Sequence, residues 1–474
     1  MDDPKNRRYE IPVNYFSVHV KILRFFGLWS YDSNGFSELI YTIYQTAFLF
    51  AFGYLFTVLE IIQLYYSWDN FDDFINNLCY AIVHVMACSK ISLILIRARE
   101  IKKVTESFEA GIFRIIPGNR TEDEERLVSE CVFRTRRLLK IYFIIGTSVV
   151  MNGLLCPLYV SSDFGKSSKT LEISNVTDNF HRASGQRRTL PYMSYFPFDI
   201  DRTPSHEIAY AYQGISMMTL SPVIVTTDVL YGSILLHIAT QLRVLRSTLI
   251  SMKKIAHDKI SKKNDRRHRS SSFKIRAAPG EQDLADEMYA ILKRCVLHHH
   301  AITRLVDEME RIFSMLVLLQ FLCNLVIMCF PLFQITSVPV VSFPFFSMVS
   351  LMTAMMYQLF IFCNCGDEVT QESLLLANSA YFCDWYGSYS SIEMHRAILL
   401  VIARSQRPLR LTVAKFATLS RATYLRASKN QLIQISRRFC NYCDFRSSRA
   451  QRRTSCSSEG FGTSNKTLLL IYGG

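Results

Sequence analysis

The chain has 474 residues, 49% of them hydrophobic and 13% aromatic, and its formal net charge is +14. A mean hydropathy of +0.13 argues against a soluble protein and fits one that alternates apolar spans with charged connections. A basic balance alone would suit a nucleic-acid binder, so the placement of Lys and Arg decides, and they cluster between the apolar runs.

Crossing about 30 Å of hydrocarbon takes roughly 20 residues of helix, and six runs are long enough. The first, Leu39 to Tyr66, contains one charge, Glu60; the second, Leu78 to Ile96, contains His84 and Lys90. The third, Leu138 to Val160, has Lys140 near its start, and the fourth, Ile208 to Ala239, carries Asp228 and His237. The fifth, Ile312 to Val338, and the sixth, Phe343 to Cys363, carry no charge. Each must be helical, because backbone groups in lipid need partners within the segment. The residues ahead of the first span are charged and aromatic, so no cleavable signal peptide is expected and the first span serves as signal anchor.

Lys and Arg in the connections set the orientation. With the N-terminus inside, the cytoplasmic pieces Met1 to Glu38, Arg97 to Arg137 and Gln241 to Arg311 hold 5, 10 and 16 of them, 31 in all. The outer pieces hold 6, all between Ser161 and His206. The N-terminus is therefore cytoplasmic, opposite to a G-protein-coupled receptor. None of the 13 Cys lies in the outer loop, so no disulfide framework is expected there. Cys440-x-x-Cys443 lacks the second pair of a zinc site. Asn175-Val-Thr177 is a glycosylation acceptor in the outer compartment.

The end of the fourth span, "SPVIVTTDVLYGSILLHIATQLRVLRSTL", resembles the insect odorant receptor family, with Thr227-Asp228, His237 and Gln241-Leu242-Arg243-x-Leu245. The preceding "TLPYMSYFPFDID" is similar to the family's Leu-Pro-Tyr and Pro-Phe-Asp elements. After the sixth span, "FCNCGDEVTQESLLLANSAYFCDWY" follows the family order of Cys, Gly, Glu-Ser and Trp-Tyr. Gln406-Arg407-Pro408-Leu409 and the Ala414-Lys415-Phe416 triplet complete the resemblance, which covers roughly Val13 to Ser420.

The resemblance implies an all-α integral membrane protein, a seven-helix bundle of inverted topology acting as a subunit of an odorant-gated cation channel. Family members of this tuning type sit in the plasma membrane of olfactory sensory neurons and assemble with the co-receptor Orco into a hetero-tetramer. Their odorants bind in the outer halves of spans two, three, four and six, subunits meet through a cytoplasmic anchor, and the outer part of span seven lines the pore. No enzyme, cofactor or metal is implied. On this plan the anchor and gating residues are Asp228, His237, Gln241, Gln406, Arg407, Pro408, Lys415 and Phe416. The layout becomes a cytoplasmic N-terminus (1–38), spans one to four (39–240) with an outer loop (161–206), a cytoplasmic linker with anchor helices (241–311), spans five and six (312–363), the anchor with the start of span seven (364–420), and a polar, basic tail (421–474).

The outer halves of the four pocket spans supply Ile82, Met151, Leu155, Tyr159, Tyr210, Tyr212, Gln213, Met217, Phe346 and Met352, apolar and aromatic walls suited to a small volatile bound by shape and burial. Lys90 and Asp228 lie toward the inner halves of their spans, where they can pair. His298-His299-His300 reads as the wet face of a cytoplasmic helix rather than a metal site. The Ser-rich, basic Lys262 to Asp283 reads as a disordered linker able to meet anionic lipid headgroups. Nucleic-acid binding has no stacking pattern or module behind it, and a transporter would need repeated, broken spans. A gustatory-receptor-like channel shares the helix plan but would end in a motif other than Gln406 to Leu409.

In the family the seventh helix is apolar. Here Arg421, Arg426, Lys429, Arg437 and Arg438 interrupt it, each central charge costing about 2.5–3.5 kcal/mol of insertion. The seventh helix is expected to be incomplete, either through a misjoined reading of the gene or as a receptor that folds its pocket without a working pore wall.

Overall fold

In the computed structural model, residues 15–29, 36–69, 71–109, 113, 122–167, 190–270, 281–335, 343–386, 391–413, 417–426 and 428–429 are described. Helix α1 (Ser17–Phe25) precedes the spans and stops at Gly27, whose φ of 76° lets Leu28 N–H donate back to the Leu23 carbonyl at 2.7 Å. Helix α2 (Phe36–Leu49) continues through a π-helical turn (Phe50–Tyr54) into α3 (Leu55–Tyr66). A π turn misaligns backbone partners, and the Ala51 carbonyl is taken by the Tyr212 hydroxyl at 2.6 Å. Then follow α4 (Phe71–Ile96), the amphipathic α5 (Ala98–Ser107), α6 (Glu122–Ser167) and α7 (Ser205–Ile250). Helices α8 (Met252–Ser270), α9 (Glu281–Ile335), α10 (Phe343–Tyr381) and α11 (Ile392–Ser405) complete the helical body. A two-residue antiparallel pair, β1 (Thr412–Val413) with β2 (Ala417–Thr418), leads into a short helix at residues 421–426.

Among the described residues, six helical stretches are long and apolar enough to cross a membrane, and each overlaps one of the six apolar runs above. The most apolar window of α7 is 94% buried, against 28–50% for the other five, so α7 is the axis and its neighbours keep an outer face for lipid. Forty-six residues at 1.5 Å rise make α7 about 69 Å long, more than twice the hydrocarbon thickness. It is therefore long enough to cross and still extend well beyond the hydrocarbon, and Arg243 and Arg246 lie near its C-terminal end.

The segment expected to be a disordered linker is helical for its first part: α8 carries Lys262 through Ser270, and α9 starts at Glu281. Lys and Arg are good helix formers, and α8 packs along α9, where Met252 and Ala256 are fully buried. Helix α6 likewise extends past Val160 to Ser167. Cys440, Cys443, Asn175, Lys415, Phe416 and the tail beyond residue 429 lie outside the described residues.

Helices α7 and α10 approach closely because Gly232 has no side chain: a Cβ there would lie 2.7 Å from Ile361 Cγ2 and 3.4 Å from Cys365 Sγ. Replacing it by Ala overpacks this crossing. Gly232→Ala is expected to destabilise the fold by about 1–3 kcal/mol, read as a lower thermal midpoint of the purified protein in detergent; an unchanged midpoint would show that the crossing is loose.

Candidate functional site

The middle of the bundle holds a narrow cavity of about 60 Å³ between α4, α6, α7 and α10. Helix α7 contributes Met217, Leu220, Ser221, Ile224 and Val225, a stripe at helical spacing. Helix α6 supplies Tyr142, Gly146 and Val149, α10 supplies Leu351, Ala354 and Met355, and α4 supplies Tyr80, Val83 and His84. The walls are almost wholly apolar. Gly146 makes room for the α7 wall: a Cβ there would press on Val225 and Ser221 at 3.0 and 3.1 Å.

Tyr192, from the segment preceding α7, closes the cavity and is buried. Gln213 holds it by accepting from Tyr192 N–H at 3.1 Å and donating to the Tyr192 carbonyl at 2.8 Å. Its ring stands edge-on to Phe56, Tyr80 and His84, and its hydroxyl occupies the space a Cβ on Gly153 would need.

Tyr142 stands at the opposite end and reaches a buried polar network. Its hydroxyl lies 3.5 Å from Asp228 Oδ2, while Lys90 Nζ lies 2.7 Å from Oδ1 and Gln358 Nε2 donates to Oδ2 at 2.5 Å. Gln320 Nε2 donates on to Gln358 at 2.9 Å and to Asn324 at 2.8 Å. Helices α4, α6, α7, α9 and α10 are thus tied at one level. Further along the chain axis, Arg243 bridges Glu368 and Glu372 at 2.6 and 2.8 Å, Arg134 joins Glu368 at 2.7 Å, and Arg246 pairs with Glu372.

Of the sequence-derived ligand residues, Met217 lines this cavity. Ile82 packs instead with Ile327 and Met328. Met151, Leu155 and Phe346 are exposed on the outer faces of their helices, and Met352 is half-buried. Tyr210 donates to the Leu154 carbonyl, Tyr212 to Ala51, and Gln213 secures Tyr192. Tyr159 lies in α6, its side chain outside the described set. The cavity lies between four of the helices the sequence indicates, but deeper in the bundle, at Tyr142 to Val150, Ile224 and Val225, and Ala354 and Met355, and with other faces inward, because spans apolar on every side carry no sign of which face turns in.

Asp228 pairs with Lys90. His237 stacks on Tyr15 at 5.2 Å and meets Phe16 edge-on at 5.0 Å, clamping the N-terminal segment to α7. Close by, burial lowers the His19 imidazole to about 4, Arg136 acting in the same direction, so it faces Ser233 Oγ at 3.3 Å in neutral form. Gln241 Oε1 meets His298 Nε2 at 3.1 Å. His298 and His299 are buried rather than wet, and α9 turns His298 onto α7 and Phe113. No metal-holding group of three or more His, Cys, Asp or Glu occurs among the described residues. Gln406 and Arg407 are exposed and Pro408 half-buried, while Leu409 N–H donates to Ser373 Oγ at 3.0 Å. Arg421, expected to interrupt the last span, donates to Asn364 Oδ1 at 3.0 Å and lies 3.5 Å from Asp367. A search for charges alone misses Gln320 and Gln358; amides inside apolar runs are the signal that finds them.

A family model described as 7tm Odorant receptor matches residues 70–429. Odorant receptor 85c of Drosophila melanogaster is 24% identical over 381 residues, covering 79% of this chain and 83% of that protein. Odorant receptor Or2 of Anopheles gambiae is 22% identical over 361 residues, covering 75% and 81%. The solved structure of the insect olfactory receptor OR5 from Machilis hrabei in complex with eugenol is similar with a TM-score of 0.67 at 16% identity, over 90% of this chain and 97% of that one.

Removing one partner of a buried ion pair leaves the other charge uncompensated. Lys90→Met alone is expected to destabilise by about 3–5 kcal/mol, and adding Asp228→Leu to recover most of that loss. A double-mutant cycle on thermal unfolding measures the coupling; additive losses would show that the two charges act independently.

Proposed function

Because the chain belongs to the 7tm odorant receptor family, we propose that it is a tuning-type odorant receptor subunit that binds small volatile molecules in the cavity beneath Tyr192 and, together with Orco, gates a cation channel. In this reading it works as a multi-pass protein of the olfactory sensory neuron's plasma membrane, in a hetero-tetramer with Orco, with anionic lipid headgroups beside the basic α8 and no nucleic-acid partner. The observation that carries the proposal is an apolar cavity whose floor, Tyr142, touches the charge network joining five helices.

The chemistry required is binding and displacement. At about 60 Å³ the cavity holds only a few waters, so a volatile of ten or so heavy atoms enters by pushing side chains aside. Met217 and Met355 suit this, since an unbranched thioether repacks at low cost. Each methylene taken from water contributes about 0.8 kcal/mol, so affinity follows apolar area and shape. Occupancy presses on Tyr142 and shifts its contact with Asp228, to which Gln358 of α10 is bonded. Helix α10 carries that displacement inward to Glu368 and Glu372, which hold Arg134, Arg243 and Arg246. A ligand shifts such an equilibrium only by its differential affinity for the two arrangements.

Co-expression with Orco is expected to give odorant-evoked cation current within milliseconds for some members of a broad volatile panel. Met217→Ala is expected to shift the preference toward bulkier volatiles and weaken responses to the original ligand by about tenfold, the loss of one well-buried side chain's contact. Silence across the panel with normal surface delivery would overturn the assignment.

A further inference from the structure

His84 is a cavity residue whose hydrogen-bonding polarity its neighbours fix. The Tyr142 hydroxyl is engaged by Asp228, and the Ser221 hydroxyl rotates to give or to take, so it discriminates little. His84 differs: its Nδ1 lies 2.5 Å from Glu60 Oε2, with the two side chains 5% and 0% exposed. The second carboxyl oxygen, Glu60 Oε1, is buried without a partner. Lys90, the cation further along α4, is taken by Asp228.

An ionised Glu60 beside a neutral imidazole would leave a net negative charge in this dry interior, which burial opposes strongly. The neutral arrangement of the pair holds two protons. One is shared along the Oε2–Nδ1 bond, and whether it rests on carboxyl or imidazole, the other sits on Nε2. Among the described residues Nε2 has no hydrogen-bond partner, while the ring itself lines the cavity.

We infer that His84, oriented by Glu60, presents an N–H to the ligand and thereby selects small apolar molecules that carry an oxygen acceptor, such as ketones and esters. The inference rests on the reading of this cavity as the odorant site. Alkanes offer His84 nothing, and an alcohol that accepts from His84 must also bring its hydroxyl proton onto the Ser221 oxygen or leave it unpaired in an apolar wall, so alcohols bind less well.

The test uses the full chain in lipid nanodiscs, with binding of matched methyl ketones, primary alcohols and alkanes read from ligand-induced thermal shifts and the same series applied as odorants to cells co-expressing Orco. Ketones are expected to bind about 3- to 10-fold tighter than alcohols of equal length, the worth of one net hydrogen bond. His84→Phe is expected to remove that advantage and leave the alkanes within twofold. Glu60→Gln frees the imidazole to carry its single proton on either nitrogen and is expected to bring alcohols level with ketones, a gain for alcohols that misfolding cannot mimic. Equal binding of ketones and alkanes to the unaltered chain, or a uniform loss across all three series in His84→Phe, overturns the inference while evoked currents leave the receptor reading intact. A ketone preference in binding without any current overturns the channel reading instead, and binding of none of the series overturns the inference while the receptor reading is decided by the broad volatile panel.

Discussion

Asp228 sits in the middle of a helix with almost no solvent contact, and a carboxylate there must find its partners inside the bundle. It finds Lys90 on α4, Tyr142 on α6 and Gln358 on α10, and through Gln358 it reaches Gln320 on α9. Spans that are apolar on all sides can slide and rotate against one another at small cost. One buried charge with three directional partners removes that freedom, because any other rotation leaves a charge or an amide unsatisfied. The polar layer contributes less as net stability than as a choice of one arrangement among many of similar packing.

The same layer divides the molecule by packing. Above it, small residues and methionines leave space, with Gly146 and Gly153 making room for Ser221 and Tyr192. Below it, space disappears: Gly232 lets α10 touch α7, His237 is enclosed by aromatic rings, and arginines of α6 and α7 share two glutamates of α10. On the proposed reading, a deformable chamber set on a tightly packed stem lets a small displacement at one end reach the other. Leu409 and Arg421 fasten to the inner end of α10 through Ser373, Thr370 and Asn364.

Particular residues show what could be read in advance. Asp228 and Lys90 stand out as charges inside apolar runs, and their pairing follows from the cost of leaving either alone. Gln213 was expected to face a ligand and instead holds the backbone of Tyr192, since an amide meets a peptide group as readily as a small molecule. His298 and His299 were expected to face water and are buried, because α9 lies against α7 well past the membrane-spanning stretch. Lys262 to Ser270 has the composition of a linker yet begins as helix, its preceding turns anchored by Met252 and Ala256.

By itself the sequence determined the number of apolar spans, their order, the side on which the basic connections lie and the family resemblance. These follow from run length and charge, which are local quantities. Only the tertiary structure decided which face of each span turns inward. That choice brought Met217, Leu351, Met355 and Tyr192 around one cavity, left Met151, Leu155 and Phe346 outside it, and placed His84 between Glu60 and the open space. Rotation is fixed by the partners a buried polar group finds on other helices, and no single helix carries that information.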